Sequence, residues 1–401
     1  MSVIRPFRAV RPERSAAPAV SSVPYDVVST EEARQLAANN PLSFLHVTRS
    51  EIDLPAGTDP YSATVYEKAR EQFAALRASA PLETEDQPSL YFYRLRMGGH
   101  EQTGIAACFS VDEYEQDVIK KHEKTRPDKE DDRTRHIIEL RAQTGVVFLT
   151  YRRSEAIDRL SRAVTADAPL YDFRADDGVH HTIWRVNGEQ ATELVDAFAA
   201  IPALYIADGH HRAASAARAR SQTRTAEADS FIAVAFPSNQ MHILPYNRTI
   251  KDLAGQTPAQ FLEALGARVP VRDGGATPGG KGEVAMFLDG KWYALDLSAA
   301  APADGSRASS LDVALLQHHV LDPLLKIGDV RTDKRIDFVG GARGTSALEN
   351  AVNDGRAAVA FSMHPVTIDD LMAISDEGGI MPPKSTWFEP KLRDGLLIHT
   401  I

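Results

Sequence analysis

Two periods of apolar and polar residues run through the chain and define its elements. Short runs rich in aliphatic, β-branched and aromatic residues predict strands: SLYFYRLRM (89–97), GIAACFSV (104–111), GVVFLTYR (145–152), HTIWRVN (181–187), ALYIA (203–207) and FIAVAFP (231–237). The first two, separated by GGHEQT, read as a hairpin with a glycine-containing loop. Residues 3–10, 17–28 and SFLHVTR (43–49) also read as extended. Helical patterns start at Thr30, a candidate cap followed by Glu31 and Glu32, and cover residues 61–77, 192–201 and 213–221. The charged stretch from Val111 to about Gln143 predicts a solvated helix pair broken at Pro127.

After a polar loop at 221–228 the pattern restarts. MHILPYNRTI (241–250) reads as strand and 252–266 as helix; GGATPGGKG (274–282) is a linker, and EVAMFLDGKWYALDL (283–297) a hairpin about Asp289-Gly290. LDVALLQHHVLDPLL (311–325) has helical spacing, RIDFVGG (335–341) reads as strand, and SALENAVNDGR (346–356) is a helix ended by Gly355. AAVAFSMHPV (357–366) and GLLIHTI (395–401) supply further strand. Strands interleaved with helices place the chain in the α/β class, mixed with α+β character. Its 401 residues exceed the roughly 250–300 at which one core stops growing. Two domains are therefore expected, 1–220 and an α+β domain over 229–401.

Charge and cysteine content narrow the partners. A net charge of −10 argues against nucleic acid, which calls for a basic face. The single cysteine, Cys108, allows no internal disulfide or thiolate metal site, which suits a reducing cytosol. No window approaches the 18 or more apolar residues of a membrane span, and the basic N-terminus has no apolar core, so a cytoplasmic protein is expected. Small anionic ligands stay open because they need a local positive site, not a positive protein. The oligomeric state also stays open, a homo-oligomer included.

The most informative chemistry is Asp208-Gly209-His210-His211-Arg212, between the strand ALYIA and the helix former AASAARARS. A turn that feeds a helix N-terminus offers unpaired N–H groups and the positive end of the dipole to an anion. Gly209 suits a sharp turn and a close backbone approach, Arg212 supplies a guanidinium fork, and His210 and His211 can donate hydrogen bonds or move protons. Asp208 is open to two readings, a ligand for Mg2+ or a carboxylate that stabilises the turn.

ADGHHRAASA resembles the signature of the ParB/sulfiredoxin superfamily, and Asp-Gly-His-His-Arg its free-serine kinases. Over nearly the whole chain, IRPFRAVRP, VPYDVVS, NPLSFLHVTRSEIDLP, KKHEKTRPDKEDDR, ADGHHR and MPPKSTWFEPK are similar to the bacterial family called domain of unknown function 1015. The resemblance implies a ParB/sulfiredoxin-like N-terminal domain with a mixed sheet, binding ATP or ADP with Mg2+. It also implies an acid ahead of the phosphate turn that serves a substrate hydroxyl; Asp26 in PYDVVS, or Glu31 behind it, is the nearest equivalent. In the charge-dense KKHEKTRPDKEDDR, His122, Lys129 and Arg133 are candidates for phosphate binding. His46 and Arg49 in SFLHVTR are candidates for reading a small zwitterion, and Lys384 and Ser385 in MPPKSTWFEPK for gripping an anion. The leading expectation is a nucleotide-dependent phosphotransferase on a small hydroxylated metabolite, free L-serine first. The alternatives are a phosphoserine phosphatase or reverse phosphotransfer, and a nucleotide-binding regulatory protein that turns over no metabolite.

Overall fold

In the computed structural model, which describes residues 2–79, 82–300, 302 and 304–401, the long strand β3 (His100–Ser110) organises the first of two units. It pairs with β2 (Leu90–Met97) across a turn so tight that Met97 faces His100, so HEQT is strand and Gly98-Gly99 alone make the loop. Beyond the reach of β2, Cys108 and Phe109 pair instead with β1 (Ile4–Arg5). The remaining strands are β4 (Ile119–Lys120), β5 (Val147–Tyr151), β6 (Tyr171–Arg174), β7 (His180–Val186), β8 (Leu204–Asp208) and β9 (Ser230–Pro237). They lie in the order β4-β8-β5-β9-β3-β2-β7-β6. β4 with β8 and β5 with β9 run parallel and the other pairs antiparallel, which makes a mixed sheet. The protein is of the mixed α/β class that the sequence pattern predicts.

The strands are apolar because one face packs on helices. Ile105, Phe109, Leu149, Ile206, Phe231 and Ala233 join Ile157 and Val164 of α4 (Glu155–Val164), Leu194 and Phe198 of α5 (Gly188–Ala199) and Ala213 and Ala216 of α6 (His210–Thr223) in one buried cluster. A second cluster joins Val10, Phe44, Phe73, Leu140 and Ile398.

Several sequence expectations change here. Residues 17–28 are not extended: Ala17–Val20 is a helical turn and Tyr25–Val27 a 3-10 turn. SFLHVTR is helical over Leu45–Thr48, because its apolar Leu45 and Val47 are buried within a turn instead of along one strand face. α1 (Thr30–Ala37) is capped not by Thr30 but by Ser29, whose hydroxyl accepts from Glu32 N–H while Glu32 answers at the Ser29 N–H. α2 spans Ala63–Ser79. The 111–143 stretch holds a short helix to Glu115, then strand and loop; Pro127 starts α3 (Pro127–Leu140) in place of breaking a longer helix.

The first unit comprises residues 1–241 and 390–401, the second 242–389. A boundary near 220 would cut β9 from its neighbours: β9 sits between β3 and β5, so 221–228 is a helix-to-strand connection. The last residues return to the first unit by bridges from Asp394 to Ser22, Ile398 to Val10 and His399 to Gln143. The second unit has its own six-stranded antiparallel sheet of β10 (Tyr246–Ile250), β11 (Val271–Asp273), β12 (Glu283–Leu288), β13 (Lys291–Asp296), β14 (Ile336–Gly340) and β15 (Val359–Ser362), in the order β11-β13-β12-β15-β10-β14. β12 and β13 are the Asp289-Gly290 hairpin. No helix among the described residues is long and apolar enough to cross a membrane.

Candidate functional site

β8 leaves the sheet irregularly. Ile206 opposes Leu149 and Asp208 opposes Phe148, so Ala207 is an extra residue that re-aims the strand end. Gly209 then takes the left-handed conformation, φ 93° and ψ 31°, and the next residue opens α6. Two constraints require glycine. A side chain is strained at that φ, and a Cβ there would stand 3.2 Å from Arg212 Cδ and 3.4 Å from Val147 Cα. No side chain among the described residues caps this 14-residue helix, so its first-turn N–H groups and dipole end are offered at the turn.

Charged groups converge on the same place. Arg212, in the first turn of α6, directs Nη2 to both carboxylate oxygens of Asp26 at 2.6 and 2.7 Å and Nη1 to the Val146 carbonyl at 2.8 Å. Its side chain is 5% exposed and that of Asp26 37%. Arg212 thus holds Asp26 from beneath, and the carboxylate reaches solvent. Burial opposes the charge on Arg212, but Asp26 and Asp208 keep it firmly protonated. Half-buried Asp208 accepts from Lys391 Nζ at 2.9 Å. Burial opposes its ionisation too, yet Lys391 and Arg212 hold it below the usual carboxylate range. Asp394 is buried against the same guanidinium, and desolvation with help from Asp26 pushes it up to about 7 although Arg212 pulls the other way.

Tyr25 forms the floor of the arrangement. Its ring lies under both the Arg133 guanidinium, 4.3 Å from the centroid, and that of Arg212 at 5.6 Å. Arg133 also bonds Asp132 and the Thr48 carbonyl, so it packs the floor and does not face a ligand. A cavity of about 20 Å³ behind Arg212, lined by Tyr25, Arg133, His136, Gln143 and Thr144, has room for a water or so and none for a metabolite.

The two histidines of the turn face the KKHEKTR segment. His210 Nε2 accepts from the His122 N–H at 3.4 Å and His211 Nε2 from the Arg126 N–H at 3.0 Å, which ties that loop to α6. The His122 and His210 rings meet edge to face with centroids 4.4 Å apart.

The structure therefore brings Asp26, His122, Asp208, Gly209, His210, His211 and Arg212 together. Arg212 is corrected from a phosphate fork to a partner of Asp26, since its guanidinium is buried and committed. Asp208 is corrected from a Mg2+ ligand, since an ammonium group occupies its carboxylate. Glu31 lies on the exposed face of α1 paired with Arg34 one turn on. His46 bonds Asp53 and the Asn40 carbonyl, which raises its pKa mainly through Asp53. Arg49 bonds Thr30 and pairs with Glu51. These contacts are internal to residues 30–53. Lys129, half-buried on α3, bonds the Tyr61 hydroxyl. Lys384 and Ser385 belong to the second unit, where the Lys384 ammonium lies over the Tyr246 ring and the Ser385 hydroxyl donates to the Pro382 carbonyl of its own turn. Lys391 and Asp394 escaped sequence reasoning, although Lys391 is the last residue of MPPKSTWFEPK.

No curated protein matches the sequence. Among solved structures, the chain is similar to SbnI with a C-terminal truncation from Staphylococcus aureus, at 12% identity, covering 72% of this chain and 85% of that one with a TM-score of 0.40. It is also similar to a free serine kinase in complex with AMP, at 13% identity, 73% and 91% coverage and a TM-score of 0.38. A conserved hypothetical protein from Pyrococcus furiosus matches at 13% identity, 73% and 94% coverage and a TM-score of 0.38. Residues 4–314 match the family described as protein of unknown function (DUF1015), and the chain belongs to that family.

Proposed function

We propose that the first unit is a phosphotransferase that binds a nucleotide phosphate at the N-terminus of α6 and presents a small hydroxylated metabolite to Asp26. The observation that carries this reading is the Arg212–Asp26 pair. One side chain in the first turn of an uncapped helix fixes a solvent-reaching carboxylate at the place where that helix offers its N–H groups.

Gly209 supplies the turn that brings those N–H groups to a phosphate without a capping side chain in the way. Lys391 adds an ammonium next to them, which offsets charge on the phosphate oxygens. Asp26 accepts a hydrogen bond from the acceptor hydroxyl and aims it. Phosphoryl transfer through a loose transition state asks for positioning and charge neutralisation more than for a strong base, so a carboxylate clamped by arginine suffices. Arg212 acts through Asp26 and is a positioning residue. A bound nucleotide would supply the phosphoryl group. Asp208 does not suit Mg2+ because Lys391 and Arg212 already neutralise it, and no step is assigned to a metal there. The ParB/sulfiredoxin likeness of the Asp-Gly-His-His-Arg turn makes ATP and ADP the donors to try and free L-serine the first acceptor.

The test is to incubate the full chain with ATP or ADP and a pool of small alcohols and amino acids, then look for phosphorylated products by mass spectrometry. Wild type should yield a product that Asp26→Asn reduces at least about 100-fold, the scale of a positioned acid or base. No product with any donor, or equal product from Asp26→Asn, overturns the reading. Tight nucleotide binding without product would favour a regulatory binding protein.

A further inference from the structure

The loop that follows β4 and the first turn of α6 assemble a second kind of chemistry. One ligand-type atom from each of His122, Glu123 and His210 lies within 4.8 Å of the other two. His122 is 2% exposed, and its Nδ1 has no hydrogen-bond partner among the described residues. A neutral imidazole can present a lone pair at that nitrogen. His210, also buried, presents an Nε2 lone pair met by the 3.4 Å contact from the His122 N–H, longer than a good N–H bond. Both rings are buried, and burial disfavours the charged imidazolium. Neutral imidazole is the form that ligates.

We propose that His122, Glu123 and His210 hold a divalent transition-metal ion of the Mn2+, Fe2+ or Zn2+ class, with coordination positions left for an outside ligand. Two imidazole nitrogens and one carboxylate suit these borderline ions, whereas Mg2+ favours an octahedron of oxygens and keeps several waters. Bonds of about 2.0–2.2 Å place neighbouring ligand atoms roughly 3–3.5 Å apart, within the 4.8 Å that separates them at most here, so uptake of an ion draws them together. Three protein ligands, one of them half-buried Glu123, leave room for a water or a phosphate oxygen. A purely structural pair of histidines would tie the loop to α6 but would take up no ion.

This site does not depend on phosphoryl transfer, and its test needs no nucleotide. The metal-stripped full chain is titrated with Co2+, read by its visible absorption, and with Mn2+ and Zn2+ by calorimetry. One equivalent of each should bind, unaffected by millimolar Mg2+. Glu123→Gln should weaken binding at least 10-fold and His122→Ala at least 100-fold. Glu123→Gln changes a half-buried side chain by one group and keeps the test valid if His122→Ala does not fold. Absence of stoichiometric uptake by folded wild type, or equal uptake by Glu123→Gln, overturns the proposal. A chain that binds Co2+ but yields no phosphorylated product keeps the metal site and loses the kinase reading; product without Co2+ binding does the reverse.

Discussion

Asp394→Asn is expected to stabilise the protein in alkaline solution and to do nothing in acid. Asp394 is 1% exposed, its Oδ2 has no hydrogen-bond partner among the described residues, and its pKa is raised from 3.8 to about 7 chiefly by desolvation. A carboxyl whose folded pKa lies above its unfolded one favours folding fully below the unfolded value and loses that contribution as pH rises through the folded value. The window therefore opens near pH 4 and closes near pH 7. The rise from 3.8 to about 7 corresponds to roughly 4 kcal/mol, at about 1.36 kcal/mol for each tenfold change in proton affinity. Asparagine keeps the shape, stays neutral at every pH and removes the penalty. Urea unfolding of wild type and variant at pH 4.5, 6 and 8 should show a gap that grows with pH in favour of the variant, reaching about 2–4 kcal/mol at pH 8. A gap that does not change with pH, or a variant less stable at pH 8, would mean that Asp394 is ionised and paired with Arg212, and the reasoning would fail.

Other perturbations probe the rest of the site. Gly209→Ala should cost about 1–3 kcal/mol in thermal or urea unfolding, from positive φ and the push on Arg212 Cδ; a neutral effect would contradict the assigned turn. Arg212→Ala removes a buried guanidinium that also holds the Val146 carbonyl and should cost about 3 kcal/mol, and a double-mutant cycle with Asp26→Asn should return a coupling of about 1–2 kcal/mol, limited by the exposure of Asp26. Glu31→Gln alters an exposed pair with Arg34 and should change stability by under about 0.5 kcal/mol and phosphotransfer not at all; a large loss of product would return Glu31 to the site. His136 is buried against the Val47 carbonyl with its pKa lowered to about 3, so its contribution is full above about 6.5 and lost as pH falls. His136→Gln should flatten the acid limb of the stability profile between pH 6 and 4, and an unchanged limb would assign it to other groups.

The sheet strands and the phosphate turn were legible because each is written locally. β8, Gly209 and α6 follow from an apolar run, a glycine and a helix former in direct succession, and the Asp289-Gly290 hairpin carries its own turn signal. SFLHVTR misled because four apolar or β-branched residues in seven suit a buried helical turn as well as a strand. The end of the first unit was hidden for a different reason: a polar connection before β9 looks like a linker until the hydrogen bonds of β9 to β3 and β5 are known. Of the site, Asp26 and the Asp-Gly-His-His-Arg turn could be named from sequence, but not how they meet. Arg212 looks like an anion fork by residue type, and only its burial and its contact with Asp26, 186 positions away, show otherwise. Lys391 and Asp394 join from the far end of the chain, a pairing that no local pattern encodes.

Backbone hydrogen exchange at the start of α6 tests the central claim most directly. With ADP or ATP added to the full chain, protection should rise at the amides of residues 209–212 and at 25–27 beside Asp26, and Gly209→Ala should abolish the effect at the turn. Nucleotide that binds while those amides exchange at their unliganded rates would place the phosphate elsewhere and contradict the account.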